Sequence, residues 1–180
     1  MSVHIANTRG RVLETAGPAD IAGIVAIETH PSMVRYIGSW PIELHMRQVC
    51  DPQFRYYVVR DARGDIDGFA IVMAYAPKFH WFELSRIAVL EPGNRKGADL
   101  LEAVLDATFG EQQAHRIQLD CYEDNVRAQR AYARAGFRAE GLLRDAVRRD
   151  GVWTSLVLMA MLESDRVRAH DAESGSQVGR

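Results

Sequence analysis

Residues 119–137 read LDCYEDNVRAQRAYARAGF and combine a strand end, a capped helix and a terminating glycine. The run from Arg116 to Tyr122 predicts a β-strand, and Asn125 to Ala135 predicts a helix that Asn125 can cap. Gly136 follows as a C-cap glycine. Helical spacing places four side chains on one stripe: Ala128, Ala131, Tyr132 and Ala135. The stretch therefore predicts a strand followed directly by a helix.

The segments on either side of this unit alternate between strand and helix patterns. Upstream, Trp81 to Leu90 predicts a strand, and a helix begins near Lys96 with Leu101, Val104, Leu105 and Thr108 on one face. Earlier still come a strand, two helical stretches and an antiparallel hairpin: Arg11–Ala16, a helix after Pro18, Ile42–Val49, Phe54–Arg60 and Gly68–Tyr75. Two strands surround the turn at Asp150-Gly151. These patterns predict an α/β domain with a mixed sheet flanked by helices.

Length and composition fit one folded unit. The chain has 180 residues, of which 47% are hydrophobic, which is enough for a single core. We expect a domain over residues 11–162, a flexible N-terminus over 1–10 and a disordered tail over 163–180, because both ends are polar. A net charge of −2 gives no support for binding to nucleic acid or to an acidic membrane surface.

The cysteines and the N-terminus bear on the compartment. Cys50 and Cys121 lie in no cluster with metal-ligand spacing, so we expect two reduced core thiols and no metal site. No apolar segment resembles a secretory signal or reaches the roughly 18 residues of a membrane span. These features predict a cytoplasmic protein.

The loop after Leu90 is a candidate phosphate site. A helix N-terminus offers unpaired N–H groups and a positive dipole end, which suits a pyrophosphate. Gly97 and Ala98 allow close approach to the backbone, while Asn94, Arg95 and Lys96 complete the loop, the last two with positive charge. An ordinary strand-to-helix connection with solvated basic residues explains this segment equally well.

Two segments resemble motifs of the GNAT superfamily of N-acetyltransferases. Ile87-Ala88-Val89, the glycine-bearing loop and Leu100-Leu101 resemble its acyl-CoA-binding motif, [QR]-x-x-G-x-[GA], although Arg95 stands at the first glycine when Gly97 takes the last position. The pattern N-x-x-A-x-x-x-Y-x-x-x-G-F is matched at every specified position by Asn125, Ala128, Tyr132, Gly136 and Phe137. The resemblance spans about Trp81 to Leu162.

This resemblance implies a GNAT-like fold, acetyl-CoA as acyl donor and a set of cofactor contacts. The backbone of the Ile87-Ala88-Val89 strand would pair with the pantetheine arm, and the loop Asn94-Arg95-Lys96-Gly97-Ala98 would bind phosphate. Asn125 would direct its amide to the cofactor, and Tyr132 would protonate or hydrogen-bond the departing thiolate. Taken without the motif, Asn125 is simply a helix cap and Tyr132 a core aromatic.

A general base must deprotonate an ammonium acceptor before acyl transfer. We place Asp120 slightly ahead of Glu83, with His80 third, and each could instead be an exposed or ion-paired strand residue. Trp40, Tyr36 and His30 are candidates for the acceptor pocket, and core packing explains Trp40 and Tyr36 equally well.

The resemblance implies acetyl transfer from acetyl-CoA to a primary amine by direct attack in a ternary complex. The amine could belong to a protein N-terminus, a polyamine or an amino-acid-like molecule. The alternative function is a catalytically silent acyl-CoA-binding or regulatory module, which the atypical loop favours and Tyr132 opposes. The apolar run Leu156–Leu162 suits either a homodimer interface or a buried central strand.

Overall fold

A computed structural model describes residues 4–8, 11–90 and 95–166. Within these ranges the strands are β1 (His4–Thr8), β2 (Arg11–Thr15), β3 (Phe54–Arg60), β4 (Ile66–Ala76), β5 (Trp81–Val89), β6 (Arg116–Tyr122), β7 (Arg138–Arg149) and β8 (Val152–Leu162). They form one sheet in the order β1-β2-β3-β4-β5-β6-β8-β7. Every neighbouring pair is antiparallel except β5 and β6, which run parallel. The predicted mixed sheet is therefore confirmed.

Five α-helices connect these strands: α1 (Ile21–Glu28), α2 (Val34–Ile37), α3 (Ile42–Gln48), α4 (Lys96–Asp106) and α5 (Val126–Ala135). Short 3₁₀ turns cover Pro18–Asp20 and Pro77–Phe79, and Ala107–Glu111 extends α4 as a π-helix. The sequence did not predict α2, because four residues are too short to show a helical period. No helix in the described ranges is long and apolar enough to cross a membrane.

Helices cover both faces of the sheet and bury two apolar clusters. On one face, Leu100, Leu101, Val104 and Leu105 of α4 pack on Phe82, Leu84, Ile117 and Leu119. On the other face, Ile21, Ile24 and Ile27 of α1 pack on Tyr56, Val58, Phe69 and Ile71. Burying a side chain of this size contributes about 1.5–3 kcal/mol. These two layers fix the sheet between the helices.

The middle of the sheet contains a β-bulge in β5 and a gap between β5 and β6. The β4 partners change from Val72 opposite Leu84 to Ile71 opposite Arg86, so Ser85 is the extra residue. The parallel ladder between β5 and β6 covers only the partners from Trp81–Arg116 to Glu83–Gln118. Beyond Glu83, the edges of β5 and β6 that face each other carry no ladder bonds, which leaves a gap between two central strands.

Both ends of the folded unit extend past residues 11–162. Residues 4–8, which we expected to be flexible, form an edge strand, because backbone pairing with β2 needs no apolar pattern. Residues 163–166 are helical, and the buried Arg166 donates from Nη1 to Glu102 and from Nη2 to Asp106. The remainder of the predicted tail lies outside the described residues.

The apolar run Leu156–Leu162 belongs to an internal strand. It lies in β8, which pairs with β6 on one side and with β7 on the other. The structure therefore confirms the central-strand alternative for this run, and β7 forms the sheet edge. A homodimer stays a prediction.

Candidate active site

A cavity of about 1190 Å³ occupies the gap between β5 and β6. This exceeds the roughly 300–1,000 Å³ of a typical ligand pocket, so it has room for two ligands together. Most predicted site residues line it: Tyr36, Trp40, Glu83, Ile87, Ala88, Val89, Arg95, Gly97, Ala98, Asp120, Asn125 and Tyr132. His30, His80 and Lys96 are not among the lining residues, and Asn94 lies outside the described ones.

The N-terminus of α4 forms one end of the cavity. Arg95 holds the N-cap position with φ at 64°, and its side chain is 67% exposed. Gly97 and Ala98 follow in the first turn, so backbone N–H groups and the positive dipole end face this part of the cavity. The arrangement suits an anion such as phosphate.

Lys96 has a different partner from the one that we expected. Its Nζ lies 3.2 Å from both carboxylate oxygens of the buried Asp67 on β4. This ion pair joins the start of α4 to the sheet. It is largely shielded from water, because the Lys96 side chain is 23% exposed and the Asp67 side chain 10%. Arg95 is therefore the basic side chain of this loop that lines the cavity.

The part of β5 that has no hydrogen bonds to β6 forms the cavity wall opposite β6. Ile87, Ala88 and Val89 line the cavity, while the opposite edge of the same strand pairs with β4 through Gly68, Phe69 and Ala70. A ligand with amide groups can bind such an edge as an added strand does. The position agrees with the expected pantetheine contact, whose pairing stays a prediction.

Helix α5 presents Asn125 and Tyr132 to the cavity. The Asn125 Oδ1 accepts a hydrogen bond of 3.1 Å from the Ala128 N–H, which confirms the helix cap. Its amide nitrogen has no partner among the described residues and remains free to donate. Ala128 and Ala131 also line the cavity, and only Ala135 of the predicted stripe is buried. Because alanines are small, this face leaves room for a ligand.

Tyr132 combines a packed ring with an unused hydroxyl. Its ring meets Phe137 edge to face at 5.9 Å between centroids. Within the described ranges its hydroxyl has no hydrogen-bond partner. Burial, and then the negative charges of Cys121 and Asp120 when ionised, raise the pKa of Tyr132. The phenol therefore keeps its proton at neutral pH and can donate it.

Asp120 and Glu83 lie near the point where β5 and β6 separate. Glu83 accepts hydrogen bonds from the Gln118 Nε2 at 3.0 Å and from the Ser85 Oγ at 3.3 Å. Asp120 has no such donor in the described part of the chain. Asp120 is exposed to the open cavity, yet the surrounding protein still desolvates its carboxylate, and this desolvation, followed by the charge of Glu83, raises the pKa of Asp120. A carboxylate with a raised pKa is a better general base than an ordinary one.

Replacing Asp120 with Asn tests this carboxylate through stability and rate together. The folded state binds the Asp120 proton more tightly than the unfolded state does, so stability falls as pH rises through the interval between the two pKa values. The neutral Asn escapes this loss. We therefore expect Asp120→Asn to melt higher than the wild type at pH 7, with the difference shrinking toward pH 3 in thermal melts.

The same variant should be slower. We expect kcat to fall about tenfold, less than the usual 10²–10⁴ for a lost base, because Glu83 remains beside the site. Glu83→Gln is the matched control, since it removes a carboxylate that already has two donors. A normal kcat in Asp120→Asn together with a lower melting temperature would contradict both the catalytic and the electrostatic interpretation.

The sequence analysis did not identify a buried polar network beside the cavity. Glu28 and His45 are fully buried, and Arg86 is 9% exposed. The Arg86 Nη1 donates to the Glu28 Oε1 at 2.7 Å, and the Trp40 N–H donates to the Glu28 Oε2 at 3.0 Å. The His45 Nε2 lies 3.1 Å from that same oxygen.

Sequence spacing contained a signal for this network. Glu28 follows Ile21 and Ile24 by seven and four residues, which places it on the buried stripe of α1. Arg86 follows Phe82 and Leu84 at alternate positions of a strand, which indicates a buried position, although the bulge at Ser85 places Arg86 on the opposite face from those two residues. A charged residue at each of two buried positions indicates an ion pair.

The two cysteines differ in environment. Cys50 is exposed, which corrects its assignment as a core thiol, because it lies in the turn between α3 and β3. Cys121 is buried on β6, and burial together with the charge of Asp120 raises its pKa to about 11. It is therefore a protonated, weak nucleophile at neutral pH. Across the described ranges no group of three or more His, Cys, Asp or Glu could hold a metal ion.

A gap between parallel central strands, a helix N-terminus at one end and a tyrosine on the following helix define the class of acyl-CoA N-acyltransferases. The chain belongs to the acetyltransferase (GNAT) family, whose model matches residues 23–137. A probable N-acetyltransferase of Bacillus subtilis, YjcK, is 34% identical over 74 residues, which are 40% of this chain and 41% of that relative's length.

Solved structures share the fold. The spermidine N-acetyltransferase SpeG of Vibrio cholerae, in complex with CoA and spermine, matches with a TM-score of 0.76 at 22% identity, over 87% of this chain and 98% of that one. A second structure of SpeG from the same organism, in complex with manganese ions, gives a TM-score of 0.73 at 22% identity, over 88% of this chain and 96% of that one. At these identities the likeness shows the fold alone.

Proposed function

We propose that this chain transfers an acetyl group from acetyl-CoA to a primary amine by direct attack in a ternary complex. The observation that carries the proposal is that one cavity brings together a free phenol, a carboxylate with a raised pKa and an unladdered strand edge. These groups come from α5, β6 and β5, so the arrangement depends on the fold.

Acetyl-CoA would supply a thioester carbonyl with a thiolate leaving group. The residues of the cavity fit such a ligand at three places. Arg95 and the N–H groups of α4 suit its phosphates, the free edge at Ile87 and Val89 suits its amides, and the unpaired Asn125 amide can donate to its carbonyls. A backbone N–H of the same edge can hydrogen-bond the thioester oxygen as its negative charge grows.

Proton transfer falls to two side chains. Asp120 accepts the proton of the incoming ammonium and leaves a neutral amine to attack. Tyr132 donates its phenolic proton, or a hydrogen bond, to the departing sulfur, and its raised pKa ensures that the proton is present. The protonated Cys121 thiol has no part in this path, because direct attack requires no acyl-enzyme.

A catalytically silent acyl-CoA-binding module is the second candidate. It is favoured by the atypical loop, where Arg95 stands at the family's first glycine if Gly97 takes the last position, and Asn94 stands at the Gln or Arg position if Gly97 is the first glycine. The unpaired hydroxyl of Tyr132 opposes it, since a binding module has no need of a proton donor that faces the cavity. Cofactor binding without turnover of any amine would select the module.

Acetyl-CoA should stabilise the protein in either case. A ligand at 100 times its Kd adds about 2.7 kcal/mol, which raises Tm by roughly 5–10 °C in a chain of this size. Arg95→Gln should reduce the shift by weakening phosphate binding, while the loop variant Arg63→Gln, 82% exposed and absent from the cavity lining, should not.

A thiol-release assay over a panel of amines completes the test. Free CoA should appear only when both acetyl-CoA and an amine are present. Absence of a thermal shift at millimolar acetyl-CoA would overturn the proposed function as a whole.

A further inference from the structure

We infer that the acceptor amine carries a carboxylate group, and that Arg86 binds it. The inference rests on the proposed function and narrows it from primary amines in general to amines with an anionic end. It starts from a buried guanidinium that is only partly satisfied.

The bulge at Ser85 directs Arg86 toward α1 and away from α4. Phe82 and Leu84, before the bulge, belong to the apolar cluster under α4. Ala88, two residues after Arg86, belongs to the cluster under α1. The extra residue reverses the alternation of the strand, so Arg86 lies on the α1 face. It also lines the cavity there.

Only one part of the Arg86 guanidinium is satisfied by the protein. Nη1 donates to the Glu28 Oε1 at 2.7 Å and to the Gly38 carbonyl at 3.3 Å. Nε is buried with no acceptor, and Nη2 has none among the described residues. The side chain is 8% exposed, so water can solvate little of it. A buried cation with unused donors costs stability, so a ligand acceptor that reaches Nη2 from the cavity would satisfy Arg86 further.

The surroundings hold Arg86 in one orientation. Its guanidinium carbon lies 4.1 Å from the centre of the Trp40 ring, and Glu28 is itself fixed by His45 and the Trp40 N–H. The planar group therefore has one side stacked and one nitrogen engaged. Of the two donors that remain, Nε is sealed from the cavity, whereas Nη2 is not and can donate a charge-assisted hydrogen bond to a carboxylate.

The charges that line the cavity favour an anion over a second cation. Apart from Arg95, which serves the phosphates in the proposed function, Arg35, Arg86 and Arg127 line it, against Glu83 and Asp120. Both carboxylates lie near the start of the gap, where the reacting ammonium must lose its proton. A polyamine would bring further ammonium groups toward Arg35 and Arg86, where the cavity offers no additional carboxylate within the described lining. A carboxylate on the acceptor would instead be attracted by these arginines.

The test compares acceptors of equal length that differ in their distal group. A series of ω-amino acids is paired with the corresponding ω-amino amides, diamines and alkylamines, and kcat/KM is measured for each with the full chain and acetyl-CoA. We expect the best amino acid to exceed its amide by roughly 10- to 100-fold, the usual worth of hydrogen bonds to a charged group. Amides or diamines that equal the amino acids would overturn the inference.

Arg86→Lys assigns the effect to the side chain. Lysine keeps a positive charge for Glu28 but lacks the planar fork. This variant should lose roughly 10- to 100-fold in kcat/KM for the amino acid and little for the alkylamine. Arg63→Lys, the same change on an exposed loop, is the control. Unchanged selectivity in a folded Arg86→Lys protein would reduce Arg86 to a structural ion pair.

A binding measurement separates this inference from the proposed function. Calorimetry with the CoA-saturated protein compares the same amino acid and amide in the wild type and in Arg86→Lys. Tighter binding of the amino acid, lost in the variant, supports a carboxylate site even if no amine is acetylated. Equal binding of both ligands overturns the site, whatever the turnover.

Discussion

Glu28→Gln should lower the free energy of unfolding by about 3–5 kcal/mol, the usual cost of leaving one charge of a buried pair without its partner. Glu28 is fully buried and its two carboxylate oxygens meet Arg86, His45 and the Trp40 N–H. The neutral amide cannot compensate the guanidinium, which the protein buries to 8% exposure. Urea unfolding followed by fluorescence measures the loss.

Two variants make this expectation specific. Glu14→Gln removes a carboxylate that pairs with Arg60, whose side chain is 29% exposed. This variant should lower the free energy of unfolding by only about 0–1 kcal/mol. The double variant Glu28→Gln/Arg86→Met should recover part of the loss, because no buried charge then remains unpaired. If Glu28→Gln unfolds within about 1 kcal/mol of the wild type, the network contributes no more than a surface ion pair.

Tyr132→Phe should reduce kcat by roughly 10²-fold or more, the usual worth of a general acid. The substitution keeps the ring that packs on Phe137 and removes only a hydroxyl without a partner in the described residues. Folding should therefore survive, and Tm should not decrease. Because the loss belongs to the transition state, the affinity for acetyl-CoA should change little.

Steady-state kinetics with a parallel binding measurement check this expectation. Tyr122→Phe is the matched control, since Tyr122 also lines the cavity but contacts Arg149 through its ring, 4.3 Å from the guanidinium carbon. A thiolate can also leave unassisted, with a pKa of about 8.5 for a cysteine-like thiol. An unchanged kcat where chemistry limits the rate would leave Tyr132 as a packing residue.

Local pattern predicted the elements best where the signal was periodic and capped. The strand Arg116–Tyr122 and the helix after Asn125 have the predicted bounds, and the helix begins and ends at the expected cap residues. The hairpin of β3 and β4 is also as expected. These features depend on neighbours in the chain, so a single sequence contains them.

The local sequence pattern did not predict which charged residues of the site form ion pairs with each other. Lys96 has the charge that a phosphate loop needs, yet its ammonium binds Asp67, 29 residues away. Glu28 and Arg86 are 58 residues apart. The sequence shows each of them only as a charged residue at a position expected to be buried, and does not show that they pair. Ion-pair partners are set by the approach of distant elements, which one sequence does not specify.

By itself, the sequence determined most of the strands and helices, though not β1 or α2, together with the caps at Asn125 and Gly136 and the two motifs that resemble the GNAT family. Only the tertiary structure decided that β5 and β6 part after Glu83, that a bulge directs Arg86 to the α1 face, and that Asp120 and Tyr132 share one cavity. The physical reason is range. Backbone preference and capping act within a few residues, whereas register, burial and electrostatic coupling arise when separate strands and helices pack together.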